Sequence, residues 1–207
     1  MELIKKYFEL SEDQEKKFEQ LFGLYREWNS QINLISRKDI DNLEERHFLH
    51  SLAIAKFINF KEGSSVMDLG CGGGFPGIML AIYFPEVQFT MIDGRNKKIM
   101  VVNDIIQRLG LKNAVGIHGR AEELKDQKFE FVVTRAVAKI DKLKEWTERL
   151  FSEEQNHALP NGIIALKGNL TEELSLLNKS DYYETVSLKT FFDEAFFLEK
   201  ELLYVQY

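Results

Sequence analysis

The ten residues Asp68-Leu69-Gly70-Cys71-Gly72-Gly73-Gly74-Phe75-Pro76-Gly77 constrain this chain more than any other segment. They follow the short apolar run SVM and precede the apolar IMLAIYF, a pattern of strand, glycine-rich turn and helix. Glycine at such a turn lets the backbone bend sharply and approach a ligand where a Cβ would intrude. The spacing Gly72-x-Gly74-x-x-Gly77 satisfies a dinucleotide-binding fingerprint, in which the following helix N-terminus receives a pyrophosphate. A phosphate loop of the Gly-Lys-Ser/Thr type is excluded, because no such triplet follows.

Strand and helix patterns alternate from there. QFTMID (88–93) reads as a second strand, NKKIMVVNDIIQRLGL as a helix stopping at Gly110, AVGIHG (114–119) as a third strand and FEFVVTRAV (129–137) as a fourth. The helix LKEWTERLF leads past Pro160 and Gly162 to a fifth strand, GIIALKG, and VSLKTFF with LLYVQY supplies a closing antiparallel hairpin. Such alternation predicts an α/β fold, a mostly parallel sheet covered on both faces. Residues 1–60 read differently. Phe18, Leu21, Phe22, Tyr25 and Trp28 recur at helical steps after a capping box of Ser11 and Gln14. A second helix spans about 39–57, with Ile40, Leu43, His47 and Leu52 near one face, and NSQINLISR (29–37) connects the two. The aromatic stripe is expected to be core between this segment and the sheet.

Composition removes several classes. A single cysteine in 207 residues excludes a disulfide framework and a multi-cysteine zinc site, and points to a reducing, cytoplasmic setting. No stretch approaches the roughly 18 apolar residues of a membrane span, so no membrane association is expected. The net charge of −6 argues against gripping bare nucleic acid through phosphate neutralisation alone. The charge is uneven: residues 63–140 carry 10 bases and 8 acids, residues 141–207 carry 7 and 13. Any RNA partner is therefore expected to be a shaped, pre-folded target rather than a flexible strand.

The string Asp68-x-Gly70-x-Gly72-x-Gly74 also resembles the first motif of Rossmann-like S-adenosylmethionine-dependent methyltransferases, whose loop wraps the amino-acid end of a cofactor without phosphate. Two features favour this over a dinucleotide. Some sixty helical residues precede the loop, and Asp68 at its entrance would pair with an ammonium but repel a pyrophosphate. Asp93, 23 residues beyond Gly70, suits ribose hydroxyls in either fold. An NAD-dependent oxidoreductase remains the enzymatic alternative, and a non-catalytic ribosome-assembly factor that binds S-adenosylmethionine the other. Among methyl acceptors, adenine amines usually need an Asn/Asp-Pro-Pro-Tyr/Phe loop after the fourth strand, where this chain has Thr134-Arg135-Ala136-Val137. Pyrimidine carbons need a cysteine nucleophile, and Cys71 inside the glycine loop reads as a small packing residue. An acceptor that is already nucleophilic, such as a ring nitrogen, is left.

DLGCGGGFPGIMLAI, IDGRNKKIMVVN, GRAEEL, VTRAVA and LPNGIIALKG, preceded by WNSQINLIS and RHFLHSL, together resemble the glucose-inhibited division protein B family, over about residues 28–168. That resemblance implies a small subunit methyltransferase G activity: methylation of guanine N7 in 16S ribosomal RNA, with S-adenosyl-L-methionine as cofactor. It implies a Rossmann-like methyltransferase domain with a seven-stranded sheet over 61–207, and a helical segment packed on it over 1–60. The implied partner is 16S ribosomal RNA within the small ribosomal subunit, with no membrane, no metal and no obligate protein partner. Carried over position by position, the cofactor-binding residues are Gly70, Phe75, Asp93, Ala121, Glu122 and Arg135, and Arg135 is also the catalytic candidate. Arg95, Lys97, Lys98 and Lys167 are candidates for RNA phosphates. One departure stands out: the family's H-x-LDS carries an acid where this chain has His50.

Overall fold

The computed structural model describes residues 1–36 and 39–207, so Arg37, the last residue of the expected connector, lies outside the described residues. Two helices open the chain, α1 (Glu2–Tyr7) and α2 (Glu12–Gln31). The expected capping box is present: Gln14 N–H donates to Ser11 Oγ while Ser11 N–H donates to the Gln14 side chain. The second helical stretch is composite, running from a short 3-10 turn through a π-helical turn, Glu44–Leu49, into α3 (His50–Phe57). Such π turns tend to sit beside functional sites.

The alternating region forms β1 (Ser65–Leu69), α4 (Gly77–Tyr83), β2 (Gln88–Asp93), α5 (Asn96–Leu109), β3 (Ala114–His118), β4 (Phe131–Arg135), α6 (Ile140–Thr147) and β5 (Gly162–Lys167). A short α7 (Thr171–Ser175) leads to β6 (Tyr183–Ser187) and β7 (Glu201–Gln206). The sheet has seven strands in the order β3-β2-β1-β4-β5-β7-β6. The first five pair in parallel, and β7 pairs antiparallel with both β5 and β6, which is the expected closing hairpin. Gly110 ends α5 with φ +64°, a left-handed C-cap. The strand order reverses between β1 and β4, the place where open α/β sheets hold ligands at their carboxyl ends.

β4 is shorter than the expected 129–137. Ala136 adopts φ +54°, uncommon for a residue with a Cβ, and turns the chain off the sheet directly after Arg135. Val137 is thereby carried over the strand ends and lines the cavities described below. The sixth helix also starts earlier and ends earlier than expected, and a 3-10 turn, Glu148–Leu150, completes it.

Period-two alternation along the strands divides the core. Val66, Phe89, Phe131, Ile164 and Tyr204 face α2–α5, whereas Met67, Val132, Ile163, Leu203 and Val205 face α6. The stripe on α2 packs into the first of these clusters, with Phe18 and Tyr25 fully buried and Phe22 and Trp28 packed against its edge. Polar tethers fix the seat of α2: the Trp28 indole donates to Asp104 Oδ2 at 2.7 Å, and the Gln14 amide donates to the Tyr83 carbonyl at 2.9 Å. Among the described residues, no helix is long and apolar enough to cross a membrane.

Tyr25 reaches furthest into the glycine loop. Its hydroxyl donates to the Gly73 carbonyl at 2.7 Å, and its ring stacks on Phe75 with centroids 4.7 Å apart. Tyr25→Phe keeps the stacking and strands a buried carbonyl. The expected loss is about 1 kcal/mol of unfolding free energy, read from denaturant midpoints of the two proteins.

Candidate functional site

The carboxyl ends of β1, β2 and β4 border two adjoining cavities of about 360 and 370 Å³ that share Gly70, Asp93 and Val137. The first has apolar walls from Leu69, Ile92, Ala121 and Trp146, with the carboxylates of Asp93 and Glu122 at its edge. The second is polar, bounded by the loop Gly70–Gly73, Phe75, His47, Lys98 and Arg135. All six residues expected to bind the cofactor therefore line one or both cavities.

Gly70 sits at the junction with φ +68°, and a Cβ there would lie 2.5 Å from Val137 Cγ2. Asp93 holds the loop in shape: its Oδ2 accepts from Gly72 N–H at 2.9 Å and its Oδ1 from Arg95 N–H at 2.8 Å. Each oxygen keeps a further lone pair for a ligand hydroxyl. Ala121 is buried and Glu122 exposed, both on a 3-10 turn after β3.

Arg135 is held on three sides. Its guanidinium lies 4.9 Å from the centroid of the Phe75 ring, donates Nη1–H to the Arg46 carbonyl at 3.1 Å and places Nη2 3.0 Å from His47 Nδ1. Burial lowers its pKa to about 10, against the pull of Asp68 and Tyr25, so it remains a cation at neutral pH. His47 is held down to about 3, by burial first and by the Arg135 charge second. It is therefore neutral and offers Nδ1 as an acceptor. Two of the five guanidinium N–H groups are used in this way, which leaves three for a ligand.

Asp68 departs from its sequence reading. It is fully buried, lines neither cavity, and accepts the Gly77 N–H on Oδ2 at 2.7 Å, while Oδ1 has no hydrogen-bond partner among the described residues. Burial, chiefly, pushes its carboxyl up to about 7. The consequence is chemical: the helix N-terminus that a dinucleotide's pyrophosphate would need is already taken by a carboxylate. A cofactor without phosphate fits this loop and a dinucleotide does not. Apolar walls for a base, Asp93 for hydroxyls and a polar loop with Lys98 for an amino-acid end match the donor and acceptor set of S-adenosylmethionine.

The basic candidates separate. Arg95 and Lys98 line the polar cavity, and Lys98 also donates to the Asn33 and Leu34 carbonyls, anchoring the connector. Lys167 corrects its expected role: its ammonium is buried, ion-paired to Glu173 at 2.8 Å and hydrogen-bonded to the Ala138 carbonyl, so it is not available to an RNA phosphate. Cys71 is buried, and burial raises its thiol well above the ordinary range, which suits a packing residue and not a nucleophile. The reading of the sequence missed His47 as the partner that orients Arg135. No spacing signal relates residues 88 positions apart.

A third cavity of about 380 Å³ lies across the Arg135–Val137 segment from the other two, with His50 and Lys200 on its walls. All three cavities share Val137, and the second and third also share Arg135 and Ala136.

Solved structures with similar folds are known. A SAM-dependent methyltransferase from Aquifex aeolicus superposes with a TM-score of 0.57 at 17% identity, covering 84% of this chain and all of that one. A precorrin-6y C5,15-methyltransferase from Geobacter metallireducens gives 0.57 at 12% identity, covering 84% and 90%. Sequence relatives are much nearer. The ribosomal RNA small subunit methyltransferase G of Phocaeicola vulgatus is 51% identical over 99% of this chain and 98% of its own length. That of Cytophaga hutchinsonii is 49% identical over 99% of both. The family model for rRNA small subunit methyltransferase G matches residues 14–193, which include the glycine loop, Asp93, Ala121, Glu122 and Arg135. With that match, near-complete alignment to such relatives and a crevice built on those residues, the chain belongs to the rRNA small subunit methyltransferase G family.

Proposed function

We propose that this protein transfers the methyl group of S-adenosyl-L-methionine to N7 of a guanine in 16S ribosomal RNA of the small ribosomal subunit. The observation that carries the reading is the Asp68 cap on Gly77, which turns the glycine loop into a cradle for a cofactor without phosphate, in a chain of this family. Ala121 and Ile92 would hold the adenine, Glu122 its edge, Asp93 the ribose hydroxyls, and Gly70 with Phe75 the sulfur end of the cofactor. The cofactor supplies an electrophilic methyl group on a sulfonium. Guanine N7 carries an exposed lone pair and loses no proton on methylation, so no residue has to act as a base. What the chain contributes is alignment and exclusion of water. Arg135, at the boundary of the chambers, is the catalytic residue in this reading, its free N–H groups directed to O6 or a phosphate of the acceptor.

The same reading divides the chain into a helical segment over 1–60 and a Rossmann-like unit over 61–207, and makes the segment part of the site, because Tyr25 and His47 come from it. Localisation follows the substrate, in the cytoplasm. Lys167 is neutralised and Lys139 is ion-paired to Glu172, and the chain's net charge of −6 adds to this, so the reading takes the folded RNA of the small subunit, and not a flexible strand, as substrate. Free unstructured RNA is expected to bind weakly. Fluorescence titration of a short labelled RNA over a salt series checks this, and tight, salt-insensitive binding would contradict it. The function itself is tested by mass spectrometry of nucleosides from 16S RNA of cells with and without the protein. Loss of 7-methylguanosine in its absence supports the reading, and an unchanged level fits a factor that binds without catalysing.

A further inference from the structure

The polar cavity calls for an anion. Among its lining residues Arg95, Lys98 and Arg135 are set against a single carboxylate, Asp93, whose two oxygens already accept the Gly72 and Arg95 N–H groups. That local excess of cations occurs in a chain of net charge −6. His47 lines this cavity and neither of the two beside it. Its ring brings a donor without a charge. Arg135 Nη2, 3.0 Å from His47 Nδ1, can only donate, so Nδ1 accepts and the hydrogen of the neutral ring sits on Nε2. Burial and the Arg135 charge keep the ring neutral. Nε2 has no hydrogen-bond partner among the described residues and, unlike Nε2 of His50, is not buried away from solvent. The ring is fixed from two sides, by Arg135 and by the Phe75 ring, whose centroid lies 5.0 Å from its own.

We propose that His47 Nε2–H donates to the α-carboxylate of the bound cofactor, so that the helical segment before the sheet supplies one of the groups that hold its amino-acid end. The assignment rests on the cofactor orientation of the function proposed above, with the base in the apolar cavity and the amino-acid end in the polar one. S-adenosylmethionine carries one anionic group, that carboxylate, and it only accepts. The cations of the cavity select it, but they are not free to satisfy it alone: Lys98 also gives hydrogens to the Asn33 and Leu34 carbonyls. A further cation would repel the sulfonium that carries the methyl group, whereas a neutral imidazole adds a hydrogen bond without that repulsion. Arg135 makes the donor dependable. A histidine whose Nδ1 had no such partner would exchange tautomers and present a lone pair to the carboxylate part of the time.

The test uses two ligands that differ at that end. S-adenosylhomocysteine has the amino acid, and 5′-methylthioadenosine keeps the nucleoside and the thioether without it. His47→Asn keeps an amide oxygen near the position of Nδ1 for Arg135 and has nothing at Nε2, whereas His47→Gln carries an amide N–H group near Nε2. By calorimetry, His47→Asn is expected to bind S-adenosylhomocysteine roughly 10- to 100-fold more weakly than the wild type, the scale for losing a hydrogen bond to a charged group. Its affinity for 5′-methylthioadenosine should stay unchanged. His47→Gln should recover most of the lost affinity, which a packing role or a disturbed Arg135 does not predict. Equal losses for the two ligands, no loss for either, or His47→Gln binding as weakly as His47→Asn, overturns the assignment. Should the variants fail to fold, the wild type decides. With imidazole nitrogens labelled, S-adenosylhomocysteine should move the His47 Nε2 resonance and 5′-methylthioadenosine should not. Equal movement with both, or none, overturns the assignment. If the wild type deposits no 7-methylguanosine on small subunits from cells lacking the protein, the proposed function fails, and the comparison of the two ligands still judges His47 on its own.

Discussion

Arg135→Ala should reduce methyl transfer by on the order of 100-fold, the scale for removing a preorganised donor aimed at a reacting group, while leaving most of the protein's stability intact. The guanidinium is placed by three contacts, to Arg46, His47 and Phe75, and none of them is an ion pair. Their loss exposes two acceptors to water from the crevice and removes a buried charge at the same time. The two effects oppose, and a net cost of about 1–2 kcal/mol is expected. Arg135→Lys should recover less than a tenth of the lost turnover, because an ammonium is a point charge that cannot bridge the carbonyl and the imidazole while still offering donors to the crevice. Methyl incorporation under saturating cofactor, beside chemical unfolding, checks both parts. Unchanged turnover would remove Arg135 from the reaction.

Asp68→Asn should make the protein more stable than the wild type, increasingly so as pH rises from 5 to 8. In the folded chain the Asp68 carboxyl is pushed up to about 7 by burial, against an ordinary value of 3.8. The folded state therefore holds the proton more tightly than the unfolded state. Its contribution to stability is full below about pH 4 and is lost as pH rises towards 7. Between pH 5 and 8 the wild type should lose on the order of 3 kcal/mol relative to the variant. Asparagine keeps an oxygen for the Gly77 N–H and cannot ionise. Unfolding curves of the two proteins across this range decide the matter, and parallel pH dependence would show that Asp68 does not titrate there. A carboxylate that weakens the fold at neutral pH is consistent with its place: it caps α4 under the loop and supplies the negative field that offsets the burial of Arg135.

Much of the molecule is local in origin and was legible on that account. Alternation along 88–93 and the apolar run at 162–167 give strands, glycine at 110 gives a helix stop, and Ser11 with Gln14 gives a helix start. Each depends on residues a few positions apart, so sequence spacing carries the information. The six expected cofactor positions line the crevice for the same reason, since each sits at or just after a strand's carboxyl end. The errors have a common cause as well. Lys167 reads as a free cation in the sequence because Glu173 and the Ala138 carbonyl meet it only in the folded chain. β4 ends two residues before the apolar pattern does, because nothing in Ala136 announces a left-handed backbone.

The sequence by itself determined the α/β alternation, the glycine loop after β1, the family and the list of residues at the strand ends. Only the tertiary structure decided what those residues touch. Asp68 was an ammonium partner by position and is a buried helix cap in space. His47 and His50, three apart on one helical stretch, line two different chambers, and His47 meets Arg135 at the carboxyl end of β4. Contacts between residues nearly 90 positions apart are set by how helices seat on strands, through burial and shape, and no local pattern encodes them.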